Sequence, residues 1–161
     1  MTQTKECLFV TWRTVALGNL ESSQDLIRDL RARGCRINNL AGDILQSIAV
    51  APSETAIELV NVSVADLGFK EGATRKQVYT TAKNFGLSLV PAEVGPQLRL
   101  QYMEQQPNEW LAIGTDPIAD LASDFALLHL TRYRDSQWLC GEHDRANEIW
   151  QPEKRWVFSH F

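Results

Sequence analysis

Apolar residues in the first part of the chain alternate between continuous runs and stripes at helical spacing. Residues 8–15 are β-branched and aromatic, which is typical of a strand. Ser22 or Ser23 can then cap a helix that ends at Gly34. The next segment predicts a second helix through the spacing of Ile37, Leu40, Ala41, Ile44, Leu45 and Ile48. With residues 56–64 as a further strand, the predicted order is strand, helix, helix, strand.

A third helix is predicted to begin after Thr74. Thr74 and Gln77 have the spacing of a capping box, in which each side chain accepts a hydrogen bond from the other residue's backbone N–H group. The predicted buried face consists of Val78, Ala82 and Phe85. Gly86 is expected to follow the end of this helix.

A proline-rich segment follows this helix. Pro91, Gly95 and Pro96 predict an ordered, non-helical bend, because proline fixes φ and lacks a backbone N–H group. Beyond the bend, apolar residues at positions 98, 100 and 102 alternate with Arg99 and Gln101, as in a half-buried strand. We expect this strand to form a β-hairpin with residues 110–113 across a turn at 106–108.

The C-terminal third is predicted to be mainly β-structure. Residues 117–133 fit either a helix or a loop followed by a strand over 125–133, and we favour the loop and strand. Further strands are predicted at 137–140 and 156–158. The chain has no internal repeat, low-complexity tract or linker. We therefore expect a single α+β domain over residues 1–161, with an N-terminal strand and amphipathic helices packed on a mainly antiparallel sheet.

Composition narrows the functional classes. Hydrophobic residues make up 44% of the chain and charged residues 22%, as in an ordinary folded protein. The formal net charge is −4, which disfavours nucleic acid as a partner because affinity for phosphates comes from lysine and arginine. The absence of a long apolar run or signal sequence predicts a cytoplasmic protein without a membrane partner. Cys7, Cys35 and Cys140 are odd in number and far apart, so we expect three free thiols.

The central block of the sequence carries a resemblance. It consists of residues 73–79 (ATRKQVY), 86–102 (GLSLVPAEVGPQLRLQY) and 109–111 (EWL). This block resembles a family of small uncharacterised bacterial proteins, and the likeness extends less tightly from residues 12–14 to 156–158. The resemblance implies a compact bacterial protein, and it supplies no reaction, ligand or catalytic residue.

Two groups of residues could carry chemistry but favour simpler interpretations. Cys140 and His143 have half of a zinc-site spacing, but no second pair exists, and no third group is visible that would orient them as a nucleophilic pair. The only basic cluster favours a solvated helix surface over an anion or RNA site: Arg28, Arg31, Arg33 and Arg36. No glycine-rich phosphate loop is present. The sequence therefore predicts neither a metal nor a cofactor.

The best candidate binding residues are Glu93, Arg99, Gln101, Tyr102, Glu109 and Trp110. If the apolar residues of the predicted strand face the core, Arg99 and Gln101 share its other face, where they can donate several hydrogen bonds. Glu93 would lie close by in the proline bend. The alternative is a solvent-exposed strand on which Glu93 or Glu109 merely pairs with Arg99. The binding interpretation predicts that Arg99→Ala leaves the fold intact.

Two functional hypotheses are consistent with these residues. The first is a non-enzymatic binding or regulatory protein that presents the strand face and the bend to a protein or a small polar ligand. The second is a small hydrolase that uses Glu93 or Glu109 as general base, on a carbohydrate or peptide. Carboxylates facing each other across a deep cleft would favour the hydrolase, and a shallow patch rimmed by aromatic residues would favour binding. The oligomeric state stays open.

Five tryptophans are also available to form a core or a binding groove. Trp12, Trp110 and Trp156 lie among apolar neighbours in predicted strands, so we expect them in the core. Trp150 is flanked by polar residues and is expected to be the most exposed.

Overall fold

The computed structural model describes residues 9–160 and shows an α+β fold, in which four α-helices pack on one nine-stranded, mostly antiparallel sheet. The helices are α1 (Ser23–Ala32), α2 (Asn39–Leu45), α3 (Arg75–Asn84) and α4 (Val94–Gln101). The strands are β1 (Arg13–Leu17), β2 (Arg36–Ile37), β3 (Thr55–Ser63), β4 (Leu87–Ser88), β5 (Trp110–Ile113), β6 (Ile118–Ala119), β7 (Phe125–Tyr133), β8 (Ser136–His143) and β9 (Arg155–His160). The α+β prediction is therefore confirmed.

The sheet curls around α4. Its strand order is β1-β3-β9-β5-β7-β8-β2, with β4 paired to β9 and β6 paired to β7. α4 contacts β1 at one edge of the sheet and β7 and β8 towards the other edge. Residues 94–100 of this helix are consequently all buried.

Two apolar cores lie on opposite faces of the sheet. The inner core joins α1, α2 and α4 to the inner face. The outer core packs α3 and three aromatic residues, Trp150, Trp156 and Phe158, against the outer face. Alternation along the strands supplies both cores: on β3, Leu59 points inward whereas Val60 and Val62 point outward.

The helices that local signals predict are confirmed. The Ser22 hydroxyl caps α1 by accepting from the Asp25 N–H group at 3.2 Å, and Gly34 follows that helix with φ of +77°. Both hydrogen bonds of the Thr74–Gln77 capping box are present at α3. Phe85 is the exception, because it is only half-buried at the end of α3, where its ring meets Phe9.

The predicted proline bend and the strand after it are wrong, because residues 94–101 form α4. Pro96 is the third residue of this helix, where its missing N–H group breaks no helical hydrogen bond. A helix that is buried on all sides has no polar stripe, so its apolar and polar residues do not alternate with the period of a helix. The predicted hairpin is also wrong, since β5 pairs with β7 and β9 instead.

Side-chain amides protect two edges of the sheet. On β1, Gln101 accepts a hydrogen bond from the Ala16 N–H group at 2.9 Å and donates one to the Ala16 carbonyl oxygen at 3.0 Å. On β8, beyond the two residues that pair with the edge strand β2, Asn38 makes the same pair of bonds with Gly141, at 2.9 and 3.0 Å. Each carboxamide thus satisfies the backbone groups that an edge strand would expose to another chain.

Other predictions concern the thiols and the membrane. Cys35 is buried, Cys140 is partly exposed, and both are free thiols as predicted, whereas Cys7 lies outside the described residues. Residues 125–133 form a strand rather than a helix, so the favoured alternative is confirmed there. Between residues 9 and 160, no helix has the length and apolar character needed to cross a membrane.

Candidate functional site

Glu93, a predicted binding residue, is buried and bonded on both carboxylate oxygens. Oε1 accepts from the Ala51 N–H group at 2.8 Å, and Oε2 accepts from the Gly18 N–H group at 2.8 Å and from Gln97 at 3.1 Å. The residue is 1% exposed. Glu93 therefore ties the start of α4 to the loops after β1 and before β3.

Arg99 is also buried, so its predicted place on an exposed strand face is wrong. It is 0% exposed on α4 and donates to Gln105 Oε1 at 2.5 Å and to the carbonyl oxygen of Tyr102 at 2.6 Å. A weaker bond reaches the Trp138 carbonyl oxygen at 3.3 Å. No carboxylate among the described residues pairs with it, and burial lowers the pKa of its guanidinium to about 10.

The turn after α4 brings two more predicted residues together. Tyr102 donates its hydroxyl to the Glu109 carboxylate at 2.8 Å, and burial, with this bond, raises the pKa of Tyr102 to about 12. Gln105 lies between them and donates to the Glu109 and Leu130 carbonyl oxygens at 3.2 Å each. Arg99, Tyr102 and Glu109 thus form one buried network, whereas Gln101 faces β1.

The sixth predicted residue, Trp110, borders a pocket of about 290 Å³ on the outer face, which we call the Trp110 pocket. Trp110 begins β5, and Glu142 comes from β8. The loop between β8 and β9 supplies four more polar or aromatic side chains: Glu148, Trp150, Gln151 and Lys154. The pocket is therefore assembled from three separate parts of the chain.

The rings of Trp110 and Trp150 line the Trp110 pocket and belong to a cluster of tilted aromatic rings. The ring of Trp110 lies 4.3 Å from that of His129 and 5.4 Å from that of Trp150. Trp150 packs in turn on Trp156 at 4.6 Å. The prediction that Trp150 is exposed is wrong, because a backbone bridge to Ala73 holds it inward at 7% exposure. Trp156 is in the core as predicted, whereas Trp12 and Trp110 are half-buried.

Charges of both signs surround these rings. The Lys154 ammonium lies 4.6 Å from the centre of the Trp110 ring. Glu142 is partly buried, and this burial together with the nearby Glu148 raises the pKa of its carboxyl group. The pocket therefore combines the indole rings of Trp110 and Trp150 with both hydrogen-bond donors and acceptors.

His129 and Cys140 are neighbours beneath the Trp110 pocket, because they pair directly across β7 and β8. Burial, and to a lesser extent Lys154, lowers the pKa of His129 to about 4, so the imidazole is neutral at pH 7. Burial and Glu142 raise the pKa of Cys140 to about 11. This thiol stays protonated and is a poor nucleophile. The pairing of β7 with β8 brings His129 next to Cys140, and the spacing of these residues in the sequence does not reveal it.

His143, which the sequence places near Cys140, lies on the opposite face of β8, because residues three apart on a strand point to opposite sides. It meets Asp120 at 3.1 Å instead, and Asp120, Asp124 and His143 hold potential metal ligands within 4.8 Å of one another. Asp120 Oδ1 already accepts from the N–H groups of Ala122 and Asp124, at 2.8 and 2.9 Å. Hydrogen bonding alone therefore accounts for this cluster.

Acid is expected to destabilise the protein through His129. Its folded-state pKa of about 4 lies below the ordinary value near 6.5, so the unfolded chain binds the proton more readily. The resulting stabilisation is complete above pH ~6.5 and is lost as the pH falls towards 4. Urea unfolding should show a loss of roughly 3 kcal/mol over this range. His129→Phe should lack this part of the pH dependence, and equal pH slopes in both proteins would contradict the assignment.

Comparison of the chain with protein-family models, with curated proteins and with solved structures finds no match. The resemblance to a family of bacterial proteins therefore stays a prediction.

Proposed function

We propose that the protein is a non-enzymatic binding protein and that the Trp110 pocket binds a neutral polyhydroxy ligand, such as one sugar unit. The observation that carries the proposal is the partly exposed Trp110 ring, with Lys154 over it and Glu142 beside it. The sugar would displace the Lys154 side chain from the Trp110 ring and pack its apolar C–H face on the indole. The hydroxyl groups of the sugar need both donors and acceptors at the rim of the pocket.

The balance of charge selects against ionic ligands. A cation stacking on Trp110 would meet the Lys154 ammonium, which already lies over the ring. An anion would meet Glu142 and Glu148. A neutral ligand avoids both repulsions and can still use the carboxylates as acceptors, the ammonium as a donor and Gln151 as either.

The surface geometry favours binding over hydrolysis. The Trp110 pocket is small and rimmed by aromatic residues rather than a deep cleft between facing carboxylates. Of the general bases proposed for a hydrolase, Glu93 is buried with both oxygens bonded to backbone N–H groups, and Glu109 accepts from the Tyr102 hydroxyl. Neither carboxylate is presented to a substrate in the pocket.

One observation favours a second candidate function. The raised pKa of Glu142 is the property that a glycoside hydrolase needs in its general acid, and Glu148 is a second carboxylate in the same pocket. In this case the ligand would again be a sugar, and Glu142 would protonate the leaving oxygen of its glycosidic bond. Whether the protein cleaves the sugar distinguishes hydrolysis from binding.

Binding is expected to be visible in the indole N–H signals of an NMR titration with glucose, galactose and N-acetylglucosamine. At least one sugar at millimolar concentration should shift the signals of Trp110 and Trp150, because their rings border the pocket. Trp110→Ala should abolish the shifts. Trp12→Ala is the matched control, since this half-buried tryptophan packs at the other face of the sheet, and it should bind normally.

Glu142→Gln keeps the size of the side chain and serves as a second variant if Trp110→Ala does not fold. Loss of sugar affinity in folded Glu142→Gln would support the proposal. Absence of any shift with all three sugars, or normal binding by Trp110→Ala, would overturn it. Release of reducing sugar from short oligosaccharides by the wild type, lost in Glu142→Gln, would replace binding by hydrolysis.

A further inference from the structure

A groove of about 710 Å³ lies between α1 and α2. Two partly buried apolar residues, Ile27 and Ile37, line it. The space beside Gly42 of α2 is open, because a Cβ atom there would meet no atom within 4 Å. This α1–α2 groove therefore offers apolar surface that no part of the described chain covers.

The charged side chains that line the groove are two arginines and one aspartate. Arg28 and Arg31 border it from α1, and Asp43 borders it from α2. Arg28 is held by Asp25 at 2.9 Å. Arg31 is exposed and has no ion-pair partner among residues 9–160. In a chain of net charge −4, Arg31 is thus a cation available to an acidic partner.

A second surface of the same chain has the complementary chemistry. The loop of residues 120–125 has the sequence DLASDF and exposes Leu121 by 76% and Phe125 by 56%. Asp124 is exposed on the same loop, and Asp120 is partly exposed. The loop therefore combines large apolar side chains with acidic groups.

The loop is also held in one conformation. The Asp120 carboxylate accepts from the backbone N–H groups of Ala122 and Asp124, and the Asp120 N–H group donates to the Asp124 carbonyl oxygen at 2.7 Å. The Asp144 N–H group fixes its end by donating to the Phe125 carbonyl oxygen at 2.9 Å. An ordered loop loses little entropy when it docks, so the exposed Leu121 is preorganised for binding.

We propose that the α1–α2 groove receives the 120–125 loop of a second copy of this chain. Leu121 would lie against Ile27 and Ile37, and Asp124 would pair with Arg31. The charge complementarity between the two surfaces favours a second copy over an unrelated partner, because both halves of the contact are present on one chain.

The contact has a predictable strength and symmetry. One short loop in one groove buries less surface than a stable dimer needs, so the association is weak and decreases at high salt. The groove and the loop are different surfaces, so copies join through two reciprocal contacts in a two-fold dimer or head to tail in longer assemblies. Neither arrangement uses the Trp110 pocket.

Sedimentation velocity over a range of protein concentrations tests the proposal. The wild type should show concentration-dependent association that weakens with added salt. Arg31→Glu and Asp124→Lys should each raise the dissociation constant at least about tenfold, because each places like charges in contact. Lys83→Glu, a charge reversal of an exposed residue on α3, is the matched control and should associate like the wild type.

Mixing the two variants gives the sharper result. The groove of Arg31→Glu is complementary to the loop of Asp124→Lys, and the unchanged groove and loop are complementary as well. The mixture should therefore associate although neither variant does alone. A wild type that stays monomeric at all concentrations, normal association by Arg31→Glu or Leu121→Ser, or no recovery on mixing would each overturn the proposal.

Discussion

Replacing Arg99 with alanine is expected to lower the free energy of unfolding by roughly 3–5 kcal/mol. The guanidinium is fully buried and donates to Gln105, Tyr102 and Trp138. Its removal takes the donor from Gln105 Oε1 and from the Tyr102 carbonyl oxygen, and it opens a cavity between α4 and the sheet. Each buried acceptor that loses its partner costs about 1–3 kcal/mol. Chemical denaturation, followed by far-ultraviolet circular dichroism, measures the loss.

Two further variants separate burial from charge in this experiment. Arg99→Lys keeps the positive charge, but one ammonium group cannot replace the planar fork of the guanidinium, so most of the loss should remain. Arg36→Ala removes an exposed arginine whose side chain meets Ser136 and Trp138, and it should change stability by less than about 1 kcal/mol. Equal, small effects of Arg99→Ala and Arg36→Ala would contradict the buried network.

Much of the fold could be predicted because its signals are local. The caps of α1 and α3 depend on residues a few positions apart, and each side chain bonds to a backbone group of its own helix. Residues 125–133, in contrast, fit a helix as well as a strand, and the strand that pairs with β8 across the turn at residues 134–135 is only the favoured alternative. The caps need no knowledge of the rest of the chain.

Helix α4 could not be predicted because the surrounding sheet determines it. Arg99 and Gln101 look like the polar face of a strand, yet both are polar partners inside the protein: Arg99 for carbonyl groups and Gln101 for the edge of β1. The acceptors of Arg99 on β7 and β8 lie more than thirty positions away in sequence. A periodicity argument assumes that polar residues face water, and this helix violates the assumption.

The candidate site likewise could not be predicted from local signals. The sequence marks Trp110 through the strand around it, but its neighbours Glu142, Trp150 and Lys154 come from β8 and the loop after β8. His129 lies beside Cys140 only because β7 and β8 pair in one register. Sequence identifies chemically capable residues, whereas the pairing of distant strands decides which of them meet.

Exchange of one carboxylate oxygen of Glu93 tests whether this residue binds a ligand or stabilises the fold. Its two oxygens accept from the N–H groups of Ala51 and Gly18, both at 2.8 Å. Glutamine has nearly the same shape, but one of the two oxygens is replaced by an NH₂ group. This NH₂ group would face the N–H group of either Ala51 or Gly18, so that two donors meet without an acceptor. Neither orientation of the amide avoids the conflict. With the NH₂ group in the first oxygen's place it faces the Ala51 N–H group, and in the second oxygen's place it faces the donors of both Gly18 and Gln97.

Glu93→Gln is therefore expected to destabilise the protein by about 4 kcal/mol, the combined cost of a lost charge-assisted bond and a buried donor without an acceptor. Urea denaturation measures this loss, and hydrogen exchange locates it, since the amide protons of Gly18 and Ala51 should exchange faster than those of the β7–β8 hairpin. Glu58→Gln makes the same change at an exposed position of β3 and should have an effect near zero. If Glu93→Gln were as stable as Glu58→Gln, the carboxylate would be free for a ligand, and the binding role that the sequence predicts for Glu93 would regain its basis.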